Sequence, residues 1–191
     1  METNIINRVF PLIPNNLLLK YDIEGLWSIT LPYDADKISN IIINKFGSDL
    51  YIFDGTSGIG GNIISFSKYF KKVCGIEIDK DRFEILKNNV NIFKLINVIL
   101  INDDCNNHLD NNYDLYFFDP PWGGPTYKNN KNIRLKIGQS TLTNLIIKIK
   151  NLNNKPIIFK LPNNYDLSEF SNYNYNIIKI KNYIIIIIND N

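Results

Sequence analysis

Short apolar runs alternate with amphipathic segments along most of this chain, and this alternation limits the possible folds more than any other feature. Strands alternating with helices predict an α/β domain built on a mostly parallel sheet. The last two apolar runs, separated by two polar residues, predict a closing hairpin. The strand-like runs are 49–53, 72–76, 98–101, 114–118, 156–161, 177–180 and 183–188, and the helix-like segments are 34–46, 63–69, 82–93 and 140–150.

The chain of 191 residues has the length of one domain. We interpret residues 1–33 as an N-terminal arm that contributes to the active site, and residues 34–191 as the α/β domain. The longest apolar run, 183–188, is too short to span a membrane, and the N-terminus lacks the pattern of a signal peptide. Two cysteines without signs of secretion predict reduced thiols and an intracellular protein.

Composition and charge distribution add two further indications. About a third of the residues are Asn or Ile, both encoded by AT-rich codons, which would suit a large DNA virus or a parasite. The net charge is only +2, but residues 120–165 contain no Asp or Glu. A segment with one sign of charge favours an anionic partner such as nucleic acid or a polyphosphate, although a solvated basic surface would look the same. Its cations are Lys128, Lys131, Arg134, Lys136, Lys148, Lys150, Lys155 and Lys160.

A glycine-rich turn follows the first predicted strand and opens a helix. It has the sequence Asp-Gly-Thr-Ser-Gly-Ile-Gly-Gly-Asn over residues 54–62. Its glycine spacing differs from the dinucleotide fingerprint, and an acid at the strand end is unsuited to a pyrophosphate. Such an acid suits a ligand that carries an ammonium group, such as the methionine end of S-adenosylmethionine. The candidate cofactor contacts in this turn are Asp54, Thr56, Gly58, Gly60 and Asn62.

Acidic residues also follow the second and third predicted strands. Glu77 can accept hydrogen bonds from ribose hydroxyls, and its neighbour Ile78 is grouped with it as a cofactor contact. Asp104 is placed to meet an adenine amino group. Either acid alone would suit a solvated loop. Three acids at three successive strand ends behind a glycine-rich turn together predict S-adenosylmethionine binding.

The fourth predicted strand is followed by Asp119, Pro120, Pro121 and Trp122, which we identify as the catalytic group. The two prolines fix the backbone and remove two donors, so local carbonyls project without internal partners. One carbonyl and the Asp119 carboxylate can accept both hydrogens of an exocyclic amine, directing its lone pair at the sulfonium methyl group. Asp119 is also counted among the cofactor contacts and can take the released proton.

Trp122 offers a flat face on which a base can stack, and a cationic base would gain a cation–π interaction. The adjacent Gly123 and Gly124 predict an open turn. The alternative readings are a core tryptophan and a rigid loop that closes a strand. Tyr127 leads from this turn into the basic segment, which could hold phosphates.

Over most of its length the chain resembles the trimethylguanosine synthases, which methylate the exocyclic N2 amine of a 7-methylguanosine RNA cap. Their Ser-Pro-Pro-Trp-Gly-Gly-Pro-x-Tyr motif matches residues 119–127, with Asp119 in place of Ser. Their Asp-x-Phe-x-Gly-x-Gly-Gly-Asn motif matches 54–62, with Thr56 in place of Phe. Their Trp-Phe-Ser-Val-Thr-Pro segment is similar to 26–30, and their Phe-Leu-Pro-Arg-Asn segment is similar to 160–164.

The resemblance implies a class I Rossmann-like fold of S-adenosylmethionine-dependent methyltransferases, with a mostly parallel seven-stranded sheet and a C-terminal antiparallel hairpin. It implies that Trp122 stacks on the cationic 7-methylguanine and that Lys20 meets the cap phosphates. Asn163 stands where the family has an arginine for those phosphates, and Lys160 is the residue that could compensate. The arm residues expected to close over cofactor and cap are Trp27, Ser28 and Thr30.

The leading hypothesis is therefore S-adenosylmethionine-dependent methylation of the N2 amine of 7-methylguanosine-capped RNA or a cap nucleotide. One alternative is an enzyme that methylates an amine of an internal guanine or adenine in rRNA, tRNA or DNA, although such enzymes more often carry Tyr or Phe in place of Trp122. A second alternative is a non-catalytic cap-binding subunit. His108, Cys74 and Cys105 are too scattered to form a metal site. We predict no metal and no membrane partner, and nothing in the sequence implies an oligomer.

Overall fold

A computed structural model describes residues 2–14 and 16–189 of this chain. Most of the sequence forms a seven-stranded sheet with the order β3-β2-β1-β4-β7-β9-β8. The strands are β1 (Tyr51–Asp54), β2 (Lys72–Glu77), β3 (Val98–Asn102), β4 (Leu115–Phe118), β7 (Ile157–Pro162), β8 (Tyr175–Ile180) and β9 (Tyr183–Ile188). A separate small hairpin is formed by β5 (Lys136–Ile137) and β6 (Ser140–Thr141).

Strands β1, β2, β3, β4 and β7 are parallel, whereas β8 and β9 run antiparallel at one edge. The prediction of a mostly parallel seven-stranded sheet with a C-terminal antiparallel hairpin is confirmed. The helices are α1 (Glu2–Val9), α2 (Ile23–Ser28), α3 (Pro32–Phe46), α4 (Gly61–Tyr69), α5 (Lys80–Ile92) and α6 (Leu142–Leu152). No helix in the described ranges is long and apolar enough to cross a membrane.

The core consists of two large apolar clusters and a smaller one. Phe53, Phe118 and Phe159 belong to one large cluster, and Ile52 and Phe117 belong to the other. The alternation of side-chain direction along β1 and β4 therefore places neighbouring residues in different clusters. Fully buried strands of this kind read as continuous apolar runs, which explains why the sequence located them so well.

The arm packs onto the domain through the third cluster. Phe10 on the arm is buried there with Ile59 and Ile64 of the glycine-rich turn and α4. Helices α1 and α2 lie within the arm, for which the sequence predicted no elements. The division into an arm of residues 1–33 and an α/β domain of residues 34–191 stays a prediction. Four residues lie outside the described ranges, namely Met1, Asn15, Asp190 and Asn191.

Several element boundaries differ from the predicted ones for local reasons. Helix α3 begins at Pro32, because proline is suited to the first helical position, where no backbone donor is needed. The predicted helix over 140–150 begins instead at Leu142, because residues 140 and 141 pair with the preceding strand. The side chain of Thr141 then accepts a hydrogen bond from Asn144 and caps the helix.

Candidate active site

The candidate site lies where the order of strands changes direction. Strand β1 lies between β2 and β4, and the connections leaving β1 and β4 go to opposite sides. Ligands of open α/β sheets bind at such a position, beyond the carboxyl ends of the strands. Asp54 ends β1, Glu77 ends β2 and Asp119 directly follows β4. The topology therefore brings three of the predicted acids to the same edge of the sheet.

Asp54 is completely buried, and one of its carboxylate oxygens has no hydrogen-bond partner among the described residues. Oδ1 accepts a hydrogen bond from the Thr56 backbone at 3.1 Å, whereas Oδ2 is a buried atom without one. Burial raises the pKa of Asp54 to about 8; the Thr56 hydrogen bond opposes this rise, and the nearby Asp119 and Glu77 carboxyls add to it. An unpaired buried carboxylate is costly, so this oxygen is suited to a cationic or donor ligand.

Glu77 holds the glycine-rich turn and the start of α5 together. Its Oε2 accepts from the Gly58 backbone at 2.8 Å, and its Oε1 accepts from the Asp79 backbone at 2.9 Å. Burial raises the pKa of Glu77, against the effect of these backbone donors and of Arg82. Each carboxylate oxygen can accept a further hydrogen bond, because an ionised carboxylate offers about four acceptor positions. Glu77 can therefore accept from vicinal hydroxyls while it fixes the turn.

The glycine-rich turn leads into α4 through two glycines, one in a conformation that favours glycine and one with no space for a side chain. Gly60 precedes the helix with φ of 106°, a left-handed conformation that favours glycine. At Gly61, an added Cβ would lie 2.6 Å from the Thr30 carbonyl oxygen. A larger residue at Gly61 would therefore push the arm away from the turn.

Helix α5 anchors the arm at two points. The guanidinium of Arg82 contacts Asp22 at 3.0 Å and Glu24 at 2.8 Å. The fully buried side chain of Asn89 accepts from the Lys20 backbone N–H and donates to the carbonyls of Lys20 and Ile59. These contacts fix the approach of the arm to the site.

Asp104 lies beside the small β5–β6 hairpin. Its Oδ1 accepts from the backbone and side chain of Asn106, at 2.9 and 2.8 Å. Its Oδ2 lies close to Gly138, where an added Cβ would come within 2.8 Å of that oxygen. The hairpin therefore restricts the Asp104 side chain, whose contact with adenine stays a prediction.

Asp119 forms a buried ion pair with Lys160. The Lys160 ammonium lies 2.6 Å from Asp119 Oδ2, and the two side chains are 8% and 11% exposed. The Thr30 hydroxyl donates to the same oxygen at 3.2 Å, and the Asp119 backbone N–H donates to the Thr56 hydroxyl at 2.7 Å. Burial raises the pKa of Asp119, and Lys160 and Thr30 act in the opposite direction. Oδ2 therefore already has two donors, whereas no described residue donates a hydrogen bond to Oδ1.

This placement corrects the interpretation of Lys160 as a contact for cap phosphates. The side chain is buried and its ammonium is already paired with a carboxylate. A buried ammonium needs such a partner, because desolvation of an isolated charge costs several kcal/mol. Lys160 therefore belongs to the interior of the site rather than to its phosphate-facing surface.

Trp122 is half-buried, although the turn formed by the neighbouring Gly123 and Gly124 is exposed. Its indole packs against both large core clusters, and its Nε1 is buried without a hydrogen-bond partner. The Tyr127 ring meets the indole edge to face at 5.1 Å, and the Lys160 ammonium lies 4.9 Å from the indole centroid. The indole therefore lies directly beside the Asp119–Lys160 pair.

The remaining predicted contacts differ in exposure. Trp27 at 68%, Ile78 at 61%, and Lys20 are exposed, whereas Thr30 is buried. Among the predicted residues that line the site's interior, the structure brings together Thr30, Asp54, Thr56, Asp119, Trp122 and Lys160 through the contacts described above. Pro120 is buried, whereas Pro121 and Ser28 are exposed. Asn163 is also exposed, and its side chain donates a hydrogen bond to the Lys181 carbonyl at 3.1 Å. Asn62 is buried, and its Oδ1 has no hydrogen-bond partner in the described part of the chain.

The sequence reading overlooked residues that hold the site together at a distance. Arg82 and Asn89 act from α5, and no motif marks them. The pairing of Lys160 with Asp119 had a sequence signal, since a lone charge inside an apolar strand requires a buried partner. Within the described ranges, no three His, Cys, Asp or Glu side chains form a group that could hold a metal ion.

The chemistry of the site suits a cofactor with an ammonium group and hydroxyls. An ammonium would give the unpartnered Asp54 Oδ2 a hydrogen-bonding and ionic partner. Asn62 Oδ1, also buried without a partner, offers a second acceptor on α4. Glu77 supplies carboxylate oxygens for hydroxyls at the end of the next strand. These groups fit S-adenosylmethionine.

Comparison with known proteins agrees with this arrangement. A family model described as RNA cap guanine-N2 methyltransferase matches residues 50–191. An uncharacterized protein of Acanthamoeba polyphaga mimivirus is 33% identical, covering 94% of this chain and 83% of its own length. The trimethylguanosine synthase of Schizosaccharomyces pombe is 30% identical, covering 83% of this chain and 71% of its own length.

Solved structures support the fold. A T. thermophilus 16S rRNA methyltransferase in complex with AdoMet and guanosine superposes with a TM-score of 0.63 at 13% identity. The match covers 90% of this chain and 44% of that one. This similarity establishes the α/β fold of class I S-adenosylmethionine-dependent methyltransferases.

Proposed function

Because the chain belongs to the RNA cap guanine-N2 methyltransferase family, we propose that it transfers a methyl group from S-adenosylmethionine to the N2 amine of a 7-methylguanosine cap. The observation that carries the proposal is the juxtaposition of Asp54, Asp119 and Trp122 at the carboxyl edge of β1 and β4. Asp54 offers an acceptor for an ammonium, Asp119 an acceptor for an amine, and Trp122 an aromatic surface.

The cofactor half of the proposal is supported by unmet hydrogen-bonding capacity. Asp54 Oδ2 is buried and unpartnered, so an ammonium bound there offsets the cost of burying the carboxylate. Glu77 is already fixed by Gly58 and Asp79, which gives its carboxylate a defined direction for ribose hydroxyls. S-adenosylmethionine, when bound, supplies a methyl group on an electron-poor sulfonium.

The transfer half is supported by the geometry at Asp119. A conjugated amine is a poor nucleophile, so holding its hydrogens on fixed acceptors orients the nitrogen lone pair. Asp119 is fixed by Lys160, Thr30 and Thr56 through the contacts described above. In the reaction the nitrogen lone pair forms the new C–N bond, the C–S electron pair stays on sulfur, and the amine loses one proton to Asp119 or to water.

The acceptor half is supported by the aromatic residues beside Asp119. Trp122 and Tyr127 lie next to one another, and stacking of a base on an aromatic ring contributes about 1–3 kcal/mol. The exposed Trp27 on α2 offers a further ring at the arm. Capped RNA is anionic, and exposed lysines after Trp122, namely Lys128 and Lys131, favour such a partner. An intracellular location stays a prediction.

An internal guanine or adenine is the alternative acceptor. This alternative is favoured by Asp119, because the trimethylguanosine synthases that the chain resembles have a serine at this position. A non-catalytic cap-binding role is less well supported, because the unpartnered Asp54 oxygen indicates a cofactor site that is still intact.

Methyl transfer to 7-methyl-GTP and to GTP tests the proposal directly. We expect the purified chain to methylate 7-methyl-GTP about 2- to 30-fold faster than GTP, because the cationic ring gains a cation–π interaction of about 0.5–2 kcal/mol with an aromatic face. Label from the methyl group of S-adenosylmethionine is counted in the isolated nucleotide. Equal rates on the two nucleotides, or transfer only to uncapped RNA, would favour the internal-base alternative.

A further inference from the structure

Lys160 is an unusual residue for the centre of a sheet. It lies on β7 between apolar residues, next to β4 and opposite Ile185 on β9. Only 6% of it is exposed. Its ammonium contacts Asp119 and lies 4.9 Å from the Trp122 ring and 5.4 Å from the Tyr183 ring. Asp119 and Trp122 belong to the candidate site, so the ammonium of Lys160 lies directly beside it.

The contact between Lys160 and Asp119 is asymmetric. Both protein donors, the Lys160 ammonium and the Thr30 hydroxyl, bind Oδ2. Among the described residues, none donates a hydrogen bond to Oδ1. The carboxylate is therefore held by one oxygen, and the other oxygen keeps its full capacity to accept.

We infer that Lys160 is a positioning residue: it fixes Asp119 Oδ2, together with Thr30, so that Oδ1 is the oxygen presented to the amine of the substrate. This inference rests on the proposed function. It differs from a stabilising role, since buried ion pairs are weak contributors to stability and apolar replacements of a whole pair are often neutral. It also accounts for two positions at which this chain differs from the motifs of the trimethylguanosine synthases. Asp119 replaces their serine and Lys160 replaces their phenylalanine, and these two residues are in contact in this structure.

The Lys160 ammonium acts against the rise in the pKa of Asp119 and so favours the ionised form, in which both oxygens accept hydrogen bonds. Burial favours the neutral acid, and the adjacent cation opposes that effect. The other charged or titratable groups facing Asp119 are Asp54 at the end of β1 and Tyr183 on β9. When Asp54 is ionised, its negative charge also disfavours ionisation of Asp119, and Lys160 is then the cation that counters both effects.

The test is the pH dependence of kcat for methyl transfer to 7-methyl-GTP at saturating S-adenosylmethionine. For Lys160→Met we expect kcat at pH 7 to fall about tenfold and the acid limb to move up by about one pH unit, because the carboxyl loses its cation. Lys160→Arg keeps the charge and should restore most of the wild-type profile. S-adenosylhomocysteine should still raise the melting temperature of both variants.

Lys155→Met is the matched control. Lys155 pairs with Asp114 at 3.4 Å, also bridging β4 and β7, but at the other end of these strands and partly exposed. Its removal should leave kcat and the acid limb unchanged. If Lys160→Met folds poorly, the double variant Asp119→Ser/Lys160→Phe removes both charges together. That variant should lose the acid limb, because no carboxyl remains to titrate beside the amine.

The outcomes separate the two proposals. A wild-type chain that binds S-adenosylhomocysteine but methylates no guanine amine would overturn the proposed function, and this inference with it. An active wild-type chain whose acid limb is unchanged in Lys160→Met, or retained in the double variant, would overturn the role of Lys160 and leave the proposed function standing.

Discussion

Asp54→Asn is expected to weaken S-adenosylhomocysteine binding by at least about 30-fold, because truncating one partner of a buried charge pair costs about 2–5 kcal/mol. The amide keeps the shape of the side chain but cannot give an ammonium an anionic partner. Isothermal titration at pH 8 measures the dissociation constant directly. An unchanged constant would mean that the ammonium does not bind at Asp54.

The pH dependence of this binding follows from the same group. With a pKa of about 8 in the ligand-free protein, Asp54 is mainly protonated at pH 6 and must lose that proton to pair with an ammonium. Affinity should therefore rise from pH 6 towards pH 8, by up to about tenfold per unit. In Asp54→Asn this rise should be absent.

The stability of the ligand-free protein should fall as pH rises, whereas its affinity for S-adenosylhomocysteine rises. The pKa of Asp54 in the folded state lies above the value of about 3.9 for an unfolded aspartate. The folded state thus binds the proton more tightly, and this group lowers the free energy of unfolding as pH rises from about 4 to 8. Asp54→Asn should be the more stable protein at pH 8.5. Asp49→Asn, at the other end of the same strand region and exposed, should show neither effect.

Trp122→Ala is expected to lower kcat/KM for 7-methyl-GTP by about 5- to 150-fold, which corresponds to the loss of about 1–3 kcal/mol of base stacking. The change should leave S-adenosylhomocysteine affinity nearly intact, because Asp54 and Glu77 lie on other strands. Steady-state methylation assays and titration of the two ligands measure the two effects separately.

A second variant distinguishes the loss of base stacking from a folding defect. Trp122 packs against both large clusters, so alanine removes core contacts as well as a stacking surface. Trp122→Phe keeps an aromatic ring and should retain more activity than the alanine variant. Equal activity of all three proteins would mean that the base stacks elsewhere, for example on Trp27.

Most of the sheet could be predicted from the sequence because its central strands are buried on both faces. Runs such as 115–118 and 184–188 are continuously apolar, and turn or polar residues mark where they end. Asp54, Glu77 and Asp119 could be placed at one edge for the same reason, since carboxyl ends of parallel strands share an edge. Periodicity and strand order thus located the acids without any knowledge of their contacts.

The contacts of those acids could not be predicted in the same way. Whether Trp122 is open or half-buried depends on how the loop after β4 packs on the core, and the two adjacent glycines permit either arrangement. The sequence assigns Lys160 to the cap phosphates only because Asn163 stands where the resembled family has an arginine. Its pairing with Asp119 depends on the adjacency of β4 and β7, which is a tertiary feature.

The helices of the arm could not be predicted from the sequence for a third reason. Helices α1 and α2 are short, and helices of this length are marginal without tertiary packing. Their stability comes from contacts such as Phe10 with the third cluster and Asp22 and Glu24 with Arg82. Such contacts join distant parts of the chain and leave no local pattern.

The central claim is that Asp119 presents an acceptor to the exocyclic amine of a stacked purine. The most direct test compares 7-methyl-GTP with 7-methyl-ITP, which has the same cationic ring and phosphates but lacks the N2 amine. Methyl label should pass to the first nucleotide and not to the second, while both occupy the site as competitors. Label recovered in 7-methyl-ITP would contradict the claim, because the methyl group would then be transferred to another atom.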